Sequence, residues 1–248
     1  MLNVTGLSVA QRIQKLSFSL EGGQLVGLIG ANGAGKSTLL KTLAGLIDST
    51  AGSASWHQFD MLTWSPHQQR QNLAYLAQNS LFLEPVTVLN LLELSQMNLS
   101  AKSALLAEWR AQSIADFELN RLINRPITEL SGGEQRRVAI ACMAAQQRSF
   151  VILDEPVAGL DLYYQLLTMD WLRTYTQQGG LAFVALHDLS LAAQYCDKLL
   201  LLHRGKQVAL GEPNCVLTDT NLAHAYRVGV DWICNSSGVA MLPHRLPN

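Results

Sequence analysis

The chain has 248 residues, 48% of them hydrophobic and 15% charged, with a formal net charge of −1. That length can bury a sizeable core, and the near-zero charge excludes a globally basic surface for nucleic acid. No apolar run approaches the roughly 20 residues that span a bilayer, and Met1 to Gly6 lacks the basic and apolar regions of a secretion signal. The four cysteines (Cys142, Cys196, Cys215 and Cys234) are scattered without a C-x-x-C, so reduced structural thiols are expected rather than a metal centre.

In chain order, residues 2–9 and 16–20 read as short strands, and Glu21 to Gln24 as a turn. The apolar run Leu25 to Ile29 reads as a buried strand, followed by Gly30-Ala31-Asn32-Gly33-Ala34-Gly35-Lys36-Ser37 and a helical run ending near Gly45. This eight-residue stretch matches G-x-x-x-x-G-K-[ST] at every fixed position, in the strand–loop–helix context the pattern requires. Backbone N–H groups and a helix N-terminus then converge on one point, which favours an anion. Lys36 is expected to reach the β- and γ-phosphates of a nucleotide, the Ser37 hydroxyl to ligate magnesium, and Thr38 to join the binding set.

Beyond the loop, residues 53–59 read as a strand, Pro66 to Gln71 as irregular, and Leu73 to Ala77 as a strand ending at Gln78. From Asn79 to Thr128 the β pattern stops. Thr87 is placed to cap a helix over Val88 to Met97 and Ser100 a second over Ala101 to Ile114, with a third, short one over Asp116 to Asn124. A helix then opens at Leu130-Ser131-Gly132-Gly133-Glu134-Gln135 and runs through Gln147. Phe150 to Leu153 is a buried strand ending in Asp154-Glu155-Pro156, Leu160 to Gln178 is mostly helix, and Leu181 to Leu186 is a strand ending at His187. A helix over Leu189 to Tyr195 and a hairpin at 198–210 follow. This alternation predicts an α/β fold with a parallel sheet covered by helices, a core over 1–78 and 129–210, a helical insertion at 79–128 and a tail at 211–248.

Four further features sit at strand ends or helix starts, where open α/β sheets bind ligands. Asp154 is placed to hold the magnesium and Glu155 to act as general base on an attacking water. His187 can hydrogen-bond the γ-phosphate, and Gln78 can add an oxygen to the metal shell. Ser131, Gly132 and Gly133 offer a hydroxyl and bare N–H groups at a helix start, a second anion site, with Glu134 beside them. Two phosphate surfaces on one chain imply head-to-tail pairing of two chains if they lie far apart in one copy. His57, His67, His203, His224 and His244 read as ordinary structural residues.

In kind, order and rough spacing these motifs resemble those of the nucleotide-binding subunits of ABC transporters, over about residues 2 to 210. The resemblance identifies 30–37 as Walker A, Gln78 as the Q-loop residue, 130–134 as the signature, and 150–154 with Glu155 as Walker B. It also makes Ala158 to Asp161 the D-loop, with Asp161 at a dimer contact, and His187 the switch histidine. It implies an ATPase fold with an antiparallel β subdomain and an inserted helical subdomain, ATP and Mg2+ as ligands, and a homodimer at the cytoplasmic face of the inner membrane. Two separate transmembrane permease subunits and a periplasmic solute-binding protein complete such a system, without nucleic acid. The resemblance also points to Leu83, Pro85, Val86, Leu89 and Leu92 as the region that meets the permease.

The tail narrows the resemblance. Val216-Leu217-Thr218, Asn221 to Val228 and a hairpin around Asn235-Ser236-Ser237-Gly238 are similar to the tails of ATPases serving cobalamin and iron–siderophore importers. The lobe lacks the Gly-Arg-x-Pro-His run of many siderophore and haem members, and Val9 to Ile13 lacks the usual adenine-stacking aromatic. Both departures favour the cobalamin group, and they leave Arg12 or an apolar side chain to contact adenine. ABC ATPases of DNA repair or of the ribosome carry a coiled-coil insertion or two such domains, and neither pattern occurs here. A regulatory module without turnover is disfavoured by the presence of Glu155 and His187.

Overall fold

The computed structural model describes residues 1–78, 83–97, 99–235 and 238–245. Three sheets and nine helices are built among these residues. The first is antiparallel, in the order β2-β1-β4-β5, from β1 (Leu2–Val9), β2 (Ile13–Leu20), β4 (Ala51–Trp56) and β5 (Phe59–Asp60). The second has the order β10-β9-β3-β8-β7-β6. Its parallel members are β3 (Leu25–Ile29), β6 (Leu73–Leu76), β7 (Phe150–Asp154), β8 (Leu181–Ala185) and β9 (Lys198–His203), with β10 (Lys206–Gly211) antiparallel at the edge. The third is the tail hairpin, β11 (Val228–Asn235) with β12 (Gly238–Arg245).

The helices are α1 (Lys36–Leu43), α2 (Pro66–Asn72), α3 (Val88–Gln96), α4 (Ser103–Asp116), α5 (Gly132–Ala144), α6 (Leu162–Gln177), α7 (Leu189–Tyr195), α8 (Pro213–Val216) and α9 (Asp219–Tyr226). Strands β3, β7 and β8 are buried along their whole length. Their side chains alternate between two cores, as the two-residue period of a strand requires. Phe150, Ile152, Leu181 and Phe183 face α1 and the antiparallel sheet, where Phe150 stacks on Trp56. Val151, Leu153, Ala182 and Val184 face α5, α6 and the helical lobe.

Register brings the site together. Leu76 pairs with Leu153, Asp154 with Ala185, and Ala185 with Leu28. Gln78, Glu155, His187 and Gly30 each lie two residues beyond one of these paired positions, at the carboxyl end of the sheet.

Several sequence expectations are corrected in detail. Pro66 to Gln71 is helical, because Ser65 caps it, Pro66 occupies its first turn, and Gln68 closes a capping box. The strand expected over 53–59 is a hairpin, folded at His57 and Gln58, which both have positive φ. The second strand begins at Ile13 rather than residue 16. Thr87 caps α3 as expected. Ser100 does not cap α4, which starts at Ser103 with no side-chain cap. The third lobe helix is replaced by turns that bury Phe117, Leu119 and Leu122, since Glu118 adopts a φ of 53° and breaks the helical path. The expected lobe start at Asn79 and the hairpin residues Ser236 and Ser237 lie outside the described residues.

Candidate active site

The loop after β3 is shaped by glycines that no other residue replaces without strain. Gly30 has a φ of 150°, and a Cβ there would lie 2.4 Å from the Leu202 carbonyl. Gly35 has a φ of 105°, and a Cβ there would meet the Arg12 carbonyl at 3.0 Å. The loop is closed by Ala34 N–H donating to the Ala31 carbonyl and tied to the β9–β10 turn by Gly205 N–H donating to Ala34. The Lys36 ammonium lies inside it, 6% exposed, donating to the Gly30 carbonyl at 2.6 Å and the Ala31 carbonyl at 3.5 Å. Burial pulls its pKa down, against the pull of Glu155 and Asp154.

A cavity of about 1130 Å³ opens over this loop. Asn32, Gly33, Ala34, Gly35, Lys36, Ser37 and Thr38 line it together with Gln78, Glu155 and His187. Gly30 and Ala31 sit beneath, contributing the carbonyls that hold Lys36.

Glu155 is gripped from two sides. Gln78 Nε2 donates to its Oε2 at 2.9 Å, and His187 Nε2 lies 2.5 Å from its Oε1. A carboxylate only accepts, so the Gln78 amide nitrogen faces it and the amide oxygen is left for another partner. Glu155 also has a φ of 54°. A non-glycine residue in this region is strained and persists only where its surroundings over-determine it.

Asp154 lies under the cavity, fully buried, and neither carboxylate oxygen has a hydrogen bond of full geometry. Burial pushes its pKa up, with the nearby Ser37 hydroxyl opposing. Two orphaned anionic oxygens beside a hydroxyl fit a hard divalent cation. Among the described residues no three His, Cys, Asp or Glu side chains converge on a metal position. A single carboxylate beside the Ser37 hydroxyl is compatible in its chemistry with magnesium, which takes few protein ligands besides phosphate.

An acid whose folded pKa is raised costs stability when ionised, above its folded pKa. That cost disappears as pH falls below the value of an ordinary aspartate, about 4. Asp154→Asn is therefore expected to raise the melting temperature of the ligand-free protein at pH 7. Thermal scans from pH 7 to pH 3 should show the gain shrinking to nothing, with magnesium-dependent activity lost throughout.

The second anion surface lies elsewhere. Ser131 caps α5, accepting from Glu134 N–H at 3.3 Å, while Glu134 Oε2 accepts from Ser131 N–H at 2.8 Å and from Ser131 Oγ at 2.9 Å. These bonds to Ser131 hold the Glu134 carboxyl below its ordinary value. Ser131 and Gly132 are exposed, and none of Ser131, Gly132, Gly133 and Glu134 lines the cavity over the loop. The cavity thus gathers the 32–38 loop residues, Gln78, Glu155 and His187, with Asp154 beside Ser37, and the 131–134 turn is not part of its lining. Asp161 caps α6 by accepting from Tyr164 N–H at 3.1 Å.

Sequence reasoning missed Gln11, Gln14 and Arg204, which line the cavity with Arg12: Gln11 and Arg12 from the β1–β2 turn, Gln14 from the start of β2 and Arg204 from the β9–β10 turn. It also missed Arg136, whose partners are backbone carbonyls. None of these carries a spacing signal. Burial pushes the Cys142 thiol up to about 12, which leaves it inert.

Known proteins resemble the chain in sequence and fold. A family model described as ABC transporter matches residues 13–158. A hemin import ATP-binding protein of Agrobacterium fabrum is 33% identical over 237 residues, covering 92% of this chain and 90% of that protein. A cobalamin import ATP-binding protein of Halobacterium salinarum is also 33% identical, over 255 residues, covering 98% of this chain and 64% of that longer protein. A solved structure of an ATP binding subunit of an ABC transporter superposes with a TM-score of 0.81 at 27% identity, covering 87% of this chain and 91% of its own. The relatives divide between hemin and cobalamin import, and overall identity does not separate the two solutes.

Proposed function

The chain belongs to the ABC transporter family, and on that premise we propose that it is the ATP-hydrolysing subunit of an importer, energising cobalamin uptake across the cytoplasmic membrane. The observation that carries hydrolysis is Glu155, fixed between Gln78 and His187 in the cavity that the Lys36 loop also lines. The lobe without the Gly-Arg-x-Pro-His run and the Val9 to Ile13 segment without an aromatic favour cobalamin. Hemin import is the second reading, favoured by relatives such as the Agrobacterium protein.

The loop amides and Lys36 hold the phosphates of ATP, and Gly30 to Thr38 form the cradle. Ser37, Gln78 and Asp154 would hold Mg2+, which when bound neutralises charge on the β- and γ-phosphates. Glu155 takes a proton from the water whose oxygen attacks the γ-phosphorus. The bond from that phosphorus to the bridging oxygen breaks, and ADP leaves. His187 orients Glu155 and donates a hydrogen bond to the γ-phosphate.

Ser131, Gly132 and Gly133 complete the site of a second copy. Glu134 must release Ser131 before that hydroxyl can meet phosphate, because the capping box now satisfies it. ATP therefore favours a closed homodimer and hydrolysis reopens it, since a ligand shifts a balance only by its differential affinity for two states.

Among the described residues no helix is long and apolar enough to cross a membrane. Two permease subunits supply the channel in this reading, with a periplasmic binding protein delivering solute. They dock on the cytoplasmic side against the groove between the core 1–78 and the lobe, where Leu46, Arg70, Leu94 and Leu99 line one depression. Of the five residues expected there, Leu83 and Pro85 are exposed, Val86 and Leu89 half-buried, and Leu92 fully buried as lobe core.

Capture of the tagged chain from detergent-solubilised membranes, with mass spectrometry of its partners, tests the assignment. Polytopic subunits encoded beside a cobalamin-binding protein are expected. Hemin or siderophore partners would overturn the solute alone, and recovery with ribosomes or DNA without membrane protein would overturn the importer.

A further inference from the structure

Helix α5 carries a buried cation, Arg136. Arg136 is 8% exposed, and among the described residues its guanidinium forms no salt bridge with a carboxylate. It donates instead to five backbone carbonyls in two separate chain segments. Nη1 donates to Ala77 at 2.6 Å and Gln78 at 3.2 Å, beyond the end of β6. Nη2 donates to Asp154 at 2.8 Å and Glu155 at 2.7 Å, and Nε to Pro156 at 3.1 Å, at the end of β7.

We propose that Arg136 is a positioning residue that fixes Gln78 and Glu155 relative to each other and ties both to the helix that begins at Ser131. The carbonyls it holds belong to Gln78 and Glu155 themselves and to their immediate neighbours. Glu155 has a φ of 54°, a conformation that must be held from outside. Arg136 supplies that hold, bonding the carbonyl of Glu155 and those of the residues on either side of it. A guanidinium presents its donors in a rigid planar fork, so the two segments cannot shift independently without breaking bonds.

The consequence for function rests on the reading above, in which Ser131 meets the nucleotide held by a second copy. Arg136 lies on the same helix as Ser131 and grips the chain's own Glu155. A displacement of α5 when Ser131 engages phosphate is then delivered to the hydrolytic carboxylate of the same chain. Arg136 touches no reacting atom in this scheme. It acts through the backbone of residues that do.

The test is steady-state ATP hydrolysis by the full chain with Arg136→Lys and Arg136→Gln, alongside melting temperatures and the affinity for a non-hydrolysable ATP analogue. Lysine keeps the charge but has a single nitrogen, which cannot bridge both segments as the fork does. Both variants are expected to lose about 10- to 100-fold in kcat, the range seen when a group that orients a catalytic ligand is removed. KM and analogue affinity are expected to stay within about 3-fold, because the Lys36 loop is untouched. The lysine variant decides the matter if the glutamine variant does not fold. Retention of wild-type kcat with only a lower melting temperature would overturn the proposal, and so would equal losses of kcat and analogue affinity. A wild-type chain without ATPase activity would overturn the functional reading and this inference with it.

Discussion

Glu155→Gln is expected to lower kcat by about 10²- to 10⁴-fold, the contribution of a positioned general base, while leaving ATP affinity within a few fold. The substitution preserves size. Its amide oxygen can still accept from Gln78, and its amide nitrogen can donate to His187 if the imidazole presents its unprotonated nitrogen. The constellation therefore stays assembled, and only proton acceptance from water is lost. Single-turnover hydrolysis measured beside ATP-analogue titration separates the two effects. Turnover near the wild-type rate would place the base elsewhere and leave Glu155 as a structural acceptor.

Lys36→Met has the second largest expected effect, and it divides between two states. In the ligand-free protein the ammonium is buried, and desolvation is the largest influence on it. A lysine whose folded pKa is lowered costs stability while charged, and the cost vanishes as pH rises past the ordinary value of about 10.4. At pH 7 the methionine variant is therefore expected to melt at or above the wild-type temperature. With nucleotide the order reverses. Loss of a buried cation facing phosphate is worth about 2–5 kcal/mol, which weakens ATP binding by about 30-fold or more. ATP at 100 times its Kd stabilises a protein by about 2.7 kcal/mol, or roughly 5–10 °C for a chain of this size. That shift should appear in Glu155→Gln, where the nucleotide persists, and disappear in Lys36→Met/Glu155→Gln. Equal shifts in both would remove Lys36 from phosphate binding.

The parts of this site that the sequence reveals are those whose chemistry needs particular side chains at fixed spacing. Gly30, Gly35, Lys36 and Ser37 are legible because the loop requires glycine conformations followed by a cation and a hydroxyl. Asp154 and Glu155 are legible because charge follows a run of buried apolar residues. Gln78 and His187 gain meaning only from the strand ends beside them, and the sheet register confirms that those ends are adjacent.

Arg136 was illegible for a physical reason. A charged residue inside a helix reads as a solvated face, and its partners are carbonyls, which every residue possesses. The lobe was legible as helical but not in its boundaries. The break at Glu118 depends on a left-handed backbone that a glutamate does not advertise, and α4 starts without a capping side chain. The helix over Pro66 to Asn72 could have been read from Ser65, Pro66 and Gln68, a capping box with proline in the first turn. The transported solute is not legible in the residues of the proposed ATP site, because in the proposed scheme those groups face nucleotide and not solute.

The central claim is that one chain holds ATP in the Lys36 loop while Ser131 of another closes over it. Light-scattering mass of Glu155→Gln with ATP and magnesium, compared with Ser131→Arg/Glu155→Gln, tests it most directly. The single variant is expected at twice the monomer mass, and the double variant at the monomer mass while still binding ATP. A double variant that dimerises equally well, or a single variant that stays monomeric with ATP bound, would contradict the account.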